Sequence, residues 1–283
     1  MLYRKTLNFI HLFFVIFSEH SVNILFIFTL YSPSGNKVLI RKQKTQFEGG
    51  EFVGQIQKVF NRYEKKFLLD EETYNLFKAE LDNYMNEDEY GLHTIRNIYY
   101  DTPDNELIRT SIEGPKYKEK FRVRCYGKPT YDSMCFLEIK KKYKGLVNKR
   151  RVAIPMEEAE AYLIDGKLPS NPNQIFKEID YFFNHYPLEP KRYIAYDRIA
   201  MYGKEDSEFR VTFDVNIRSR DYNLTLYSDE DNDYLLANGV RLMEVKISDS
   251  MPLWFARLLS KYEIYPTSFS KYGNFYKKQL MNA

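Results

Sequence analysis

Along Phe209-Arg-Val-Thr-Phe-Asp-Val215 every odd position is apolar and every even position polar. A β-strand sends alternate side chains to opposite faces, so this segment predicts a strand with one apolar and one charged face. The same division recurs where Arg122 and Arg124 alternate with Phe121, Val123 and Cys125, in Leu137-Glu138-Ile139-Lys140, and in Lys149-Arg-Arg-Val-Ala-Ile154. Two further segments set acids two residues from bases on one face: Arg62-x-Glu64-x-Lys66 and Glu244-x-Lys246. The polar face of an ordinary sandwich strand meets water and carries Thr, Ser, Lys and Glu without preference. Here Arg and Lys dominate it. The pattern predicts a barrel with its apolar face under helices and its charged face around a polyanion.

Helical periodicity falls between and after these strands. Asp70 reads as an N-cap, followed by Tyr74, Phe77, Leu81 and Tyr84 at helical spacing. Helices are also expected over 157–163 and 175–183, after Ser250 as the cap of a segment holding Leu253, Trp254, Arg257 and Leu258, and from Ser270-Lys271 onward. Strands are expected near 97–100, 121–126, 134–142, 150–154, 194–201, 208–215 and 241–247, with Gly127-Lys-Pro-Thr130 turning a hairpin. Grouped strands with helices between and after them give an α+β fold with an antiparallel sheet.

Composition narrows the chemistry. With 44% hydrophobic residues in 283 the chain has material for a core, and 42 Lys and Arg against 39 Asp and Glu leave a net charge of only +3. Any anion site must therefore come from the placement of charge. The 25 tyrosines scatter and form no RNA-stacking motif, so nucleic acid is not an expected partner. Four histidines without a His/Cys cluster argue against zinc, and Cys125 and Cys135 read as buried free thiols. No Walker A loop, kinase glycine loop or nucleophile elbow is present. Asp229-x-Asp231-x-Asp233 is a solvated acidic loop by this reading, because Tyr234 and Val240 stand where a calcium loop needs Gly and Glu.

The first 50 residues stand apart as an apolar leader or linker. Leu7 to Phe17 and Ile24 to Tyr31 are apolar, but Ser18-Glu-His-Ser21 and Asn23 interrupt them before the roughly 20 residues a spanning helix needs. The segment reads either as a membrane anchor or signal, or as a leader from a start codon set too far upstream. The functional domain is expected over 57–283. A cytoplasmic location is expected, with membrane association only through residues 1–31.

Arg62, Lys66, Arg122, Arg124, Lys140, Lys149, Arg151, Arg198, Arg210 and Lys246 all share the polar parity of expected strands. One such residue alone would simply face water. As a set opposite apolar residues they suit a phosphate chain, which Arg grips with a bidentate fork and Lys with a compact charge. Arg220, placed in the following loop, is expected to stand outside the set. Glu64, Glu138, Asp214 and Glu244 share the bases' parity, and inward acids would repel an anion. A Mg2+ or Mn2+ ion bridging carboxylate and phosphate oxygens accounts for them. Neutralising a neighbouring Arg accounts equally well for Glu64 and Glu138, which leaves Glu244 as the best metal candidate.

These residues carry a resemblance. Arg62-x-Glu64-x-Lys66-Phe67, Ile98-Tyr-Tyr-Asp101, Arg122-x-Arg124, Glu138-x-Lys140, Arg198, Arg210 and Glu244-x-Lys246 resemble, in order and over about residues 57–280, the polyphosphate polymerase (VTC) domain. That domain belongs to the triphosphate tunnel metalloenzymes, with the CYTH proteins. The resemblance implies a closed antiparallel tunnel with helices outside, and phosphates threaded through the middle. It implies that Lys66, Arg122, Arg124, Lys140, Lys149, Arg151, Arg198 and Arg210 bind triphosphate, that Glu244 holds the metal, and that Lys271 is a late phosphate-binding lysine. The hydrolytic CYTH branch carries two glutamates in its first strand, where this chain has Arg62 and Glu64, and this favours the polymerase branch. The eukaryotic relatives' phosphate-sensing SPX domain and membrane helices have no counterpart here, unless the leader substitutes for them. The expected activity is transfer of the ATP γ-phosphate to a growing inorganic polyphosphate with Mn2+ or Mg2+. The alternatives are a triphosphatase, with water as acceptor, and a polyphosphate-binding module without catalysis.

Overall fold

The alternating segments become strands of one antiparallel sheet, and the helices cover its apolar face. The computed structural model describes residues 63–282 apart from 145, 229, 231, 232 and 249, together with the backbone of three N-terminal strands. The chain divides into two units, Met1–Lys58 and Val59–Ala283. The first holds β1 (Phe9–Ser18), β2 (Ser21–Leu30) and β3 (Arg41–Thr45), paired antiparallel in that order. The expected association with a membrane through residues 1–31 is thereby corrected. Their described residues lie in strands, and among the described residues no helix is long and apolar enough to cross a membrane.

The second unit runs β4 (Tyr63–Leu69), α1 (Glu71–Leu81), β5 (Met85–Glu87), β6 (His93–Asp101), α2 (Glu106–Glu113), β7 (Tyr117–Tyr126), β8 (Met134–Tyr143) and β9 (Leu146–Pro155). It continues α3 (Met156–Asp165), α4 (Gln174–His185), β10 (Glu189–Gly203), β11 (Arg210–Arg220), β12 (Asp233–Tyr234), β13 (Arg241–Ile247), α5 (Leu253–Lys261) and α6 (Lys271–Asn282). The strand order is β4-β13-β11-β10-β6-β7-β8-β9, with β12 on β11 and β5 on β10. Asp70 caps α1 by accepting from Thr73 N at 2.7 Å. At α5 the cap position falls to Pro252 in place of Ser250. Tyr84 lies beyond α1 and stacks on Trp254.

Two apolar clusters lie on the outer face. Phe121, Val123, Leu137, Ile139 and Val152, with the free buried thiols Cys125 and Cys135, pack under Ala159 and Tyr162 of α3 and Phe176, Ile179 and Phe182 of α4. Phe67, Val211, Phe213, Met243 and Val245 pack under Phe77 of α1 and Phe255 of α5. A third cluster sits on the opposite parity: Ile95, Tyr99, Ile194, Tyr196 and Leu242 meet Ile108 of α2 and Phe269, Tyr272 and Phe275 at α6. α2 and α6 therefore fill part of one end of the inner face.

The expected closed barrel is not reached through backbone hydrogen bonds. Among the described residues the path of strands ends at β4 and β9. The free edge of β4 has another partner: Phe67 bridges to Pro266, and Thr267 N donates to Lys66 O at 2.7 Å. An unpaired strand edge needs such cover. The sheet nevertheless curls far enough that Glu64 of β4 stands 3.6 Å from the Lys140 ammonium of β8.

Candidate functional site

Strand register brings the charged residues together. Lys66 opposes Glu244, Glu64 opposes Lys246, and Thr212 opposes Glu244 from the other side. Arg198 opposes Asp214, Arg122 opposes Glu138, Glu138 opposes Arg151 and Lys140 opposes Lys149. Because each element keeps its apolar residues on the other face, these groups share the concave one.

Two nests of charge result. In the first, buried Glu138 receives Arg122 at 2.7 Å, Lys149 at 2.7 Å, Arg151 at 3.6 Å and Arg124 at 3.9 Å. Burial alone would raise this carboxyl, but Arg122, Arg124 and Lys149 hold it well below the usual range. Arg124 also donates to Asn97 and to the Tyr196 hydroxyl, and Arg122 to the Tyr99 hydroxyl. In the second nest, Arg198 grips Asp214 with two bonds of 2.6 and 2.8 Å. Lys271 lies 2.5 Å from Asp214 and 3.0 Å from Glu244, and Glu244 also meets Lys66 at 3.4 Å and Arg198 at 3.5 Å. Burial opposes ionisation of both acids, but Lys271 and Arg198 outweigh it and keep them charged. The same attraction outweighs burial at Lys271 and lifts it above an ordinary lysine. Glu64 joins the nests, 3.3 Å from Lys66 and 3.6 Å from Lys140.

The other expected bases are placed as follows. Lys246 is lowered first by burial and then by Arg198. Arg210 stands exposed and opposite Lys246 in the register. Arg62 lies outside the described residues, as do Asp229 and Asp231. Arg220 corrects the expectation of a loop residue. It ends β11, is buried, lies 3.8 Å over the Tyr193 ring and donates to the Thr225 carbonyl.

Lys120 was missed by the sequence reading. It shares the parity of Arg122 and Arg124, and its ammonium donates to the Ser270 hydroxyl at 3.2 Å. Burial first, then Lys140, Lys118 and Lys66, pull it down to about 7. Lys149 is likewise pulled down to about 8, by burial and Arg122 against the opposing pull of Glu138. The signal for Lys120 was the run Lys118-x-Lys120-x-Arg122-x-Arg124.

For a divalent cation the acids are not equivalent. Among the described residues no three or more His, Cys, Asp or Glu gather to hold a metal. Mg2+ is, however, commonly held by one or two carboxylates with phosphate oxygens completing its shell. Glu64 and Glu244 each stand within 3.4 Å of the Lys66 ammonium, a cation the two carboxylates already share. Glu138 is ringed by bases instead and serves as their counter-charge.

A family match to the VTC domain covers residues 61–279. No curated protein matches the sequence. Similar solved structures include a candidate adenylate cyclase from Bacillus halodurans, at 14% identity and a TM-score of 0.48, covering 74% of this chain and 95% of that one. A candidate adenylate cyclase from Vibrio parahaemolyticus gives 11%, 0.41, 79% and 98%, and the PH1819 protein of Pyrococcus horikoshii gives 9%, 0.39, 77% and 99%. The match to the VTC domain spans most of the chain and takes in every described base and acid of the two nests, so the chain belongs to the VTC domain family.

Proposed function

We propose that the protein moves the γ-phosphate of ATP onto the end of a growing inorganic polyphosphate. The observation that carries this is the convergence of Arg122, Arg124, Lys149, Arg198, Lys66 and Lys271 from five separate elements onto one concave face. Phosphoryl transfer asks little covalent help of a protein, and positioning with charge neutralisation supplies most of the rate. Arg122, Arg124, Lys140, Lys149 and Arg151 hold one stretch of phosphates, and Arg198, Lys66, Lys246 and Lys271 the other, with exposed Arg210 guiding the chain at the rim. The terminal phosphate of the acceptor is already ionised, so an oxygen of it attacks the γ-phosphorus without a strong general base. The bond from that phosphorus to the β-γ bridging oxygen breaks, and ADP leaves with the electron pair. Mn2+ or Mg2+ held by Glu244 with Glu64 would neutralise charge on the phosphate oxygens. A bound chain spanning β4, β13 and β10 on one side and β7, β8 and β9 on the other closes the tunnel that the backbone leaves open.

The test is incubation of the purified full chain with ATP and Mn2+, followed by separation of long polymer from free phosphate. Polymer with stoichiometric ADP is expected. Free phosphate alone would replace the transferase by a triphosphatase, and neither product would leave a polyphosphate-binding module.

A further inference from the structure

Each base of the two nests has a carboxylate beside it: Arg122, Arg124, Lys149 and Arg151 share Glu138, and Lys66, Arg198 and Lys271 share Asp214 and Glu244. One stretch of the same face is not balanced in this way. Lys118 opposes Lys142 in the β7–β8 register, and the next pair on that face is Lys120 opposite Lys140. Like charges directly opposed on antiparallel strands repel. Lys118 donates only to the Ser111 carbonyl and Lys120 only to the Ser270 hydroxyl. Among the described residues no carboxylate forms an ion pair with Lys118, Lys120 or Lys142, and Lys140 has only the more distant Glu64. The row leads from the Glu138 nest, past the start of α6 at Ser270-Lys271, to the end of the sheet where β7 begins and β8 finishes. α2 and α6 fill that end on the β6, β10 and β13 side, while Lys142 on the β8 side is exposed.

We propose that this lysine row is the path by which the far part of an inorganic polyphosphate chain, beyond the reacting phosphates, runs out along β7 and β8. The proposal rests on the polyphosphate reading of the same site. An anion lying along the four amino groups relieves the repulsion among them, and a chain with about one charge per unit matches a row of point charges. The four positions of the row are all lysine, with no aromatic ring among them, which suits a phosphate chain without bases better than a nucleic acid strand.

The test uses the full chain, with inorganic tripolyphosphate and a long-chain polyphosphate as separate probes in titration calorimetry. The double variant Lys118→Gln/Lys142→Gln should bind the long chain about tenfold more weakly, as loss of two charge-assisted contacts requires, with tripolyphosphate affinity unchanged. Its melting temperature without anion should equal or exceed that of the unaltered protein, since repulsion has been removed, and this separates loss of binding from loss of fold. Equal affinities of variant and unaltered protein for the long chain would overturn the path. So would an equal fall for both probes, or a single-stranded oligonucleotide bound as tightly as polyphosphate. Long-chain binding that depends on Lys118 and Lys142, in a protein that makes no polymer from ATP, would leave the path standing and remove the transferase reading alone.

Discussion

Glu244 holds Lys271, Lys66 and Arg198 at once, and this fixes what its removal should do. Glu244→Gln keeps the size of the side chain but withdraws one negative charge from among three cations. The bases proposed to bind phosphate stay in place, so tripolyphosphate affinity should hold or rise, while transfer from ATP should be lost if Glu244 holds the cation. Calorimetry and the polymer assay read the two separately, and turnover equal to that of the unaltered protein at saturating Mn2+ would remove Glu244 from the mechanism. Lys120 gives a test by pH. Its folded value, about 7, lies below the ordinary 10.5. Across that window the unfolded chain binds a proton that the folded chain lacks, so the cost Lys120 places on folding at low pH is relieved as pH rises from 7 toward 10.5. A bound polyanion favours the charged ammonium and draws the proton back. At pH 8 tripolyphosphate binding should therefore take up protons, in part onto Lys149 at about 8, and Lys120→Gln should reduce the uptake. Calorimetry in buffers of different ionisation enthalpy measures this. Identical uptake in variant and unaltered protein would mean that Lys120 does not sense the anion.

At the scale of elements, the strands legible in the sequence were those with apolar residues on one parity. β11 and the Arg122–Arg124 part of β7 read clearly because Val211, Phe213, Phe121 and Val123 go to the outer clusters. The first half of β7 was invisible for the opposite reason. Its outer parity carries Tyr117 and Glu119, and Glu119 is buried against Lys141 and the Tyr186 hydroxyl, so no hydrophobic alternation marks it. Lys118 and Lys120 were lost with it. α2 was missed too: its first turn is capped by a residue of another element, with Asp101 at the end of β6 accepting from Leu107 N and Ile108 N as well as from the Tyr272 hydroxyl. Arg220 was misread because a bulge intervenes. The β10–β11 register shifts between Ala195 and Asp197, where Asn216 takes φ 53°, and the residues beyond exchange faces. Even positions of β11 point inward before the bulge and odd ones after it, which turns Arg220 outward onto Tyr193. Because every strand of the eight-strand path lies after Lys58, residues 57–283 are expected to fold alone. Circular dichroism of that fragment should give a cooperative melt near that of the full chain, and an unfolded or insoluble fragment would make the first unit part of the fold.

For the whole molecule, the curled sheet of the second unit has a seam between β4 and β9, where no backbone ladder runs among the described residues. Across it stand the Glu64–Lys140 ion pair and the segment from Pro266 to Ser270, which touches Lys66 on one side and Lys120 on the other. Contacts of this kind open far more readily than a ladder of amide bonds. A phosphate chain lying between Lys66 of β4 and Lys149 of β9 would bind both margins at once and act as a cross-link supplied from solution. Amide hydrogens of β4 and β9 should then exchange slowly only when the chain is present, while those of β6 and β10, at the centre of the sheet, exchange slowly in either state. Mass-detected exchange with and without tripolyphosphate reads this directly, and margins equally protected in both states would mean that the seam is already fastened by the protein alone. If the margins behave as expected, the protein completes its own wall each time it takes up a phosphate chain, and loosens it each time it lets go.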